Sequence, residues 1–130
     1  MCNDSISIVR KFYEIRLLSA INLGIADKDI IWNVTSGAPY GGIYRGWKNV
    51  NSYLTKMRHL FYSLDTIVEN YYDTYCSHVF TTGHYDIIKS LNTPSIKVYF
   101  VHNWNIREGK IVGLTQMVDS ATLWRAVNNK

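Results

Sequence analysis

Between Val98 and Arg107 the side chains alternate. Val98, Phe100, His102, Trp104 and Ile106 fall on one face, and Tyr99, Val101, Asn103, Asn105 and Arg107 fall on the other. A period of two predicts a β-strand. Glu108-Gly109 follows as a tight turn, because glycine accepts the positive φ that short hairpins require. Ile111 to Asp119 carries the β-branched and apolar residues that a return strand favours. His102 breaks the pattern: it is a histidine in the middle of an apolar face, in a hairpin whose far end carries Asp119.

The remaining elements follow from the same patterning. Asn3, Asp4 or Ser5 can cap a first helix, with Ile8, Phe12 and Ile15 on one face and Val9, Tyr13 and Arg16 on the adjacent stripe. Ser19 to Asp29 reads as a short helical or turn region stopped by Gly24, and Ile30 to Val34 as a strand. Ser36 to Gly42 is a loop by composition. Its glycines are not followed by Lys-Ser/Thr, so it is no phosphate cradle. From Trp47 to about Tyr62 the spacing of Val50, Leu54, Met57 and Phe61 predicts a helix with a core stripe. Thr66–Tyr72 and Tyr75–Tyr85 read as strands around Asp73-Thr74, and Ser120 to Val127 as a closing helix. Helices first, one helix among the early strands, then a run of antiparallel strands predict an α+β fold, its helices on one face of a strongly curved sheet.

Composition narrows the classes. A chain of 130 residues with 47% hydrophobic and 18% charged side chains is expected to form one globular domain over residues 1–130. The formal charge of +4 is scattered, which leaves no footprint for nucleic acid. No apolar run approaches the roughly 20 residues of a membrane span, and the N-terminus lacks a signal-peptide layout. A cytoplasmic protein is expected, with Cys2 and Cys76 as free thiols and Asn33-Val34-Thr35 as a coincidental glycosylation match.

For the chemistry, His102 is the first candidate, as an ordinary imidazole can take or give a proton near neutral pH. It reads equally as a core histidine satisfied by a neighbouring strand or hydroxyl. Asp119 can orient His102 or act as a base itself, its pKa raised by an apolar cavity. It can also cap the last helix, being followed by Ser-Ala-Thr-Leu. With a two-residue turn Arg107 pairs with Lys110, His102 faces Thr115, and Asp119 lies roughly 13 Å further along the same face. A three-residue turn with a bulge at Gly109 would turn Asp119 to the opposite face. Ile111/Met117 and Val112/Leu114/Val118 are both credible inward sets. Tyr13 either offers its hydroxyl to a cavity or sits half-buried at the core edge. Any of His84, Tyr85 and Asp86, with Glu69, Tyr71 and His78 on neighbouring strands, can face the pocket, but they read first as a solvated sheet face or a dimer contact. His78, His84 and His102 lack ligand spacing, so no metal is expected.

Two stretches resemble a known family. IIWNVTSGAPYGGIYRGWKNVNSYL resembles the W-x-V…P-x-x-G-x-Y-x-G segment of SnoaL-like proteins, and VHNWNIREGKI…MVDSATLWRA resembles their H-x-W-x-[IV]-x-[DE]-G-K-I…D-[TS]-A ending. These proteins belong to the ketosteroid isomerase-like, or nuclear transport factor-like, superfamily. The resemblance implies a cone-shaped, cystatin-like α+β barrel, with a bent antiparallel sheet wrapped around the helices and a pocket at the open end. It also implies frequent homodimers and a small, cofactor-independent enzyme. Such an enzyme would bind a polyketide, terpenoid or steroid-like molecule and carry out acid-base isomerisation, cyclisation or dehydration, with epoxide hydrolysis less well matched. The alternative is a non-catalytic ligand-binding or dimeric interaction module on the same fold. In the catalytic reading His102 and Asp119 transfer protons and Tyr13 and Tyr44 donate hydrogen bonds. Trp32, Trp104, Phe100 and Met117 complete the ligand surface with Tyr44.

Overall fold

The computed structural model describes residues 3–75 and 77–128, so Cys2 and Cys76 lie outside the described residues. Helix α1, Asn3–Glu14, buries Ser5, Val9 and Phe12, a face between the two stripes read from the sequence. Ser5 is thus inside the helix and does not cap it. The short α2, Leu17–Asn22, buries Leu17 and Ala20 and turns at Gly24 into β1, Ala26–Val34, four residues earlier than its apolar run alone suggests. Strand β2, Gly42–Arg45, leads into α3, Trp47–His59. That helix turns Val50, Tyr53 and Met57 inward, so Tyr53 takes the buried position that the spacing assigned to Leu54.

Strands β3 (Ser63–Thr74), β4 (His78–Ile88), β5 (Ile96–Arg107) and β6 (Lys110–Val118) form an antiparallel meander, and α4, Ser120–Asn128, closes the chain. The six strands make one curved, unclosed sheet in the order β2-β1-β6-β5-β4-β3. It is not wholly antiparallel as expected, because β1 lies parallel to β6, with Trp32 beside Leu114. Alternation within β1 says which side chains share a face, but not the direction of the strand that pairs with it. Among the described residues no helix is long and apolar enough to cross a membrane.

Two irregularities shape the sheet. In β3 the register slips between Val68 and Asn70, opposite Gly83. A Cβ at Gly83 would come within 2.0 Å of the Ile67 carbonyl oxygen, so the bend of the edge strand requires a glycine there. The second bulge is in the hairpin. Glu108 and Gly109 both have positive φ (52° and 75°), the signature of a two-residue type I′ turn, and Arg107 pairs with Lys110 as expected. Ile106 then pairs with Ile111 but Asn105 pairs with Gly113, leaving Val112 as an extra residue. Beyond that point every β6 side chain changes face. Ile111, Leu114 and Gln116 are buried and Met117 points outward, so neither inward set read from the sequence holds as a whole.

Candidate functional site

Between α1, α3, α4 and the concave face of the sheet lies a cavity of about 230 Å³. Its walls are mainly aromatic and aliphatic: Phe12 from α1, Trp32 from β1, Leu54 and Met57 from α3, Trp104 from β5 and Leu123 from α4. Trp104 is the hub of this wall, with edge-on contacts to Phe12 (5.1 Å), Tyr13 (5.2 Å) and Trp32 (5.8 Å) between ring centres.

The polar side of the cavity is a hydrogen-bonded chain assembled from five elements, α1, α3, β4, β5 and β6. The β4–β5–β6 register puts Thr81, His102 and Gln116 side by side, and α1 lays Tyr13 across them. His102 is bonded at both nitrogens: Nδ1 to the Tyr13 hydroxyl at 2.6 Å and Nε2 to the Tyr85 hydroxyl at 2.7 Å. Tyr85 O–H donates to Gln116 Oε1 (2.7 Å) and Gln116 Nε2–H to the Tyr53 hydroxyl oxygen (3.3 Å). With the Gln116 amide in this orientation, the direction of the whole chain follows. Tyr85 has spent its only proton on Gln116, so His102 Nε2 carries the hydrogen donated to the Tyr85 oxygen. Nδ1 is then the acceptor for Tyr13 O–H. The Tyr13 oxygen in turn receives the Trp104 indole N–H at 3.1 Å and the Thr81 hydroxyl at 2.7 Å. Only the far end is open: Tyr53 O–H has no acceptor among the described residues, and Tyr53 lines the cavity.

Burial decides the charge states. His102, 3% exposed, is pushed down to about 3 by desolvation, so it is a neutral relay at physiological pH and not a base that holds a proton. Burial pushes Tyr53 up to about 12 and raises Tyr13 and Tyr85 further, so all three keep their protons. Among the described residues, no Asp or Glu lines the cavity.

The predicted residues divide. His102, Tyr13, Trp32 and Trp104 meet at the cavity. Asp119 does not. It is exposed and accepts the Thr122 N–H at 3.2 Å and the Thr122 hydroxyl at 2.7 Å, capping α4. Those bonds to Thr122 hold its carboxyl below the usual range, the opposite of the rise expected from an apolar cavity. Its removal in Asp119→Ala is expected to lower the melting temperature slightly through fraying of α4, with ligand binding unchanged in a titration. Met117 is outside because of the β6 bulge, and it is 40% exposed. Tyr44 bonds the Tyr40 carbonyl and packs behind Tyr53, ring centres 4.9 Å apart. Phe100 stacks on His102 at 3.9 Å without lining the cavity. Its place is to hold the imidazole plane.

Sequence reasoning missed Tyr53, Thr81 and Gln116 as parts of the site and ranked Tyr85 first as a solvated or dimer-contact residue. For β4 the signal was available, since Val79, Thr81, Gly83, Tyr85 and Ile87 alternate with His78, Phe80, Thr82, His84 and Asp86. His84 and Tyr85 therefore point to opposite faces. His84 sits between Glu69 (3.3 Å) and Asp86 (3.4 Å) on the outer face, and His78 bonds Asn103 there, so the three histidines do not converge.

No protein-family model and no curated protein matches the sequence. Solved structures do match. An NTF2-like protein of unknown function from Burkholderia pseudomallei is 18% identical with a TM-score of 0.81, over 96% of this chain and 98% of that one. TerC, crystallised with polyporic acid, is 15% identical with a TM-score of 0.78, over 98% and 97%. A candidate SnoaL-like polyketide cyclase from Jannaschia is 11% identical with a TM-score of 0.78, over 98% and 94%. At such identities it is architecture that is shared. The chain has the SnoaL-like, NTF2-like fold.

Proposed function

We propose that this protein binds a small, largely apolar molecule through one acceptor oxygen of the ketone, quinone or lactone type. One observation carries the reading: a hydrogen-bonded chain, satisfied at every other member, ends in a buried hydroxyl with its proton free, inside an aromatic cavity. The apolar walls supply affinity, and Tyr53 O–H orients the oxygen and polarises its carbonyl. The absence of a carboxylate among the lining residues and the full occupation of His102 favour binding over base-driven turnover. The solved neighbours crystallised with polyporic acid or described as a polyketide cyclase are compatible with such a ligand. Methyl naphthyl ketone is a suitable probe, read through the fluorescence of Trp32 and Trp104. Tyr53→Phe is expected to weaken its binding about fivefold, the worth of one hydrogen bond. Unchanged affinity would remove Tyr53 from the reading.

A second reading, cofactor-independent isomerisation, cyclisation or dehydration, is favoured by the Tyr13–His102–Tyr85 relay. It can accept a proton at one imidazole nitrogen while releasing one from the other, with no charge left on the ring. Deuterium uptake at the methyl group of the bound ketone, faster with the wild type than with Tyr53→Phe, would establish enol chemistry. No acceleration over buffer would leave binding alone.

A further inference from the structure

The cavity is not polar at one end only. Arg58 lines it from α3, five residues after Tyr53, which is about 7.5 Å further along the helix axis. The two residues also differ in depth. Tyr53 is 3% exposed, whereas Arg58 is exposed and shares the mouth with half-buried Leu64 and exposed Thr66 of β3. The Arg58 guanidinium has no carboxylate partner among the described residues, its one bond being to the Thr55 hydroxyl at 3.4 Å. It is the sole Lys or Arg among the residues lining the cavity, and no acidic lining residue offsets it.

We infer that the ligand is an organic anion: an apolar body about the length of two fused rings, with a neutral oxygen at Tyr53 and a carboxylate or similarly acidic oxygen at the mouth on Arg58. This rests on the binding reading above and adds the charge and the second anchor. A guanidinium at an aromatic-walled mouth gains most from an anion, because the low-dielectric wall strengthens the pair and the planar fork matches two acidic oxygens. A neutral ligand of the same shape leaves that fork facing water. The helix itself supplies a control. Lys56 is in the same last turn of α3, carries the same charge and lies over the Tyr40 ring at 5.7 Å, outside the cavity. Any effect of net charge or of the helix dipole is shared by Lys56→Gln, whereas a direct contact is confined to Arg58→Gln.

The experiment compares methyl naphthyl ketone with acetylnaphthoate, the same body bearing a carboxylate, by titration calorimetry on the wild type, Arg58→Gln and Lys56→Gln. Acetylnaphthoate is expected to bind the wild type about tenfold more tightly than the ketone. Arg58→Gln is expected to abolish that preference, bringing acetylnaphthoate to the affinity of the ketone in the same variant, and Lys56→Gln to preserve it. Equal affinities in the wild type, or a preference that survives Arg58→Gln or falls equally in Lys56→Gln, would overturn the anion assignment and leave the binding reading intact. If neither compound binds, the binding reading fails and the anion assignment fails with it.

Discussion

Acidification from pH 6.5 toward 3 is expected to destabilise the fold by about 5 kcal/mol through His102 alone. In the unfolded chain the imidazole takes a proton near its ordinary value of 6.5, while in the folded chain burial delays this to about 3. Between those limits the unfolded state holds the extra proton. Stability therefore falls with pH at about 1.4 kcal/mol per unit, is fully present above 6.5 and is exhausted near 3. The Gln116 side chain opposes this in part, but burial is the larger cause, because Tyr13, Tyr85, Thr81 and Gln116 are uncharged and, among the described residues, no carboxylate lines the cavity. Urea unfolding across this range should show the slope in the wild type and a curve flatter by one proton in His102→Gln. Every other ionisable group is common to both proteins and cancels in the difference. Parallel curves would mean that His102 is protonated in the folded chain. The same shift makes the site insensitive to pH in the neutral range, which suits a relay and not a titrating base.

The elements of this fold and part of its site are legible in the chain because each carries a local signal. The period of two in β5 places Phe100, His102 and Trp104 on one face, and the Glu108-Gly109 turn sets the start of the hairpin. What escapes is the extra residue at Val112. A bulge has no composition of its own, yet it exchanges Thr115 for Gln116 opposite His102 and turns Met117 outward. The loss is chemical as well as geometric, since Gln116 is the link that joins Tyr85 to Tyr53. Asp119 shows a different limit. Its sequence supports a cap and a catalytic carboxylate equally, and only the position of α4 settles that both oxygens are committed to Thr122. Tyr53 was hidden by the stripe of Val50, Leu54, Met57 and Phe61, because a helix turns 100° per residue and adjacent positions compete for the same face.

The direction of the hydrogen-bonded chain yields a contrast between the two tyrosines that flank Gln116 in it. Tyr85→Phe deletes a hydroxyl that is both acceptor for His102 and donor to Gln116, leaving two buried polar groups without partners. The expected loss is about 2–5 kcal/mol of unfolding free energy, measured by urea denaturation. Tyr53→Phe deletes the acceptor of one 3.3 Å bond at the end of the chain and leaves one buried N–H, on Gln116, where Tyr85→Phe leaves two groups, so its cost is expected to be about 1 kcal/mol. A double-mutant cycle sharpens the comparison. Once His102→Leu has removed the ring, Tyr85→Phe loses part of its penalty because one stranded group is already gone, so the two changes should not add. The outcome bears directly on function. If the Gln116 amide faced the other way, Tyr53 would donate to it and Tyr85 would donate to His102. Tyr53→Phe would then strand a buried carbonyl oxygen that had accepted an O–H, and its cost would rise toward that of Tyr85→Phe. A small penalty at Tyr53 beside a large one at Tyr85 is the pattern that leaves a hydroxyl proton free for a ligand, and a penalty at Tyr53 of about 2 kcal/mol or more, two hydrogen bonds' worth, would close the chain on itself.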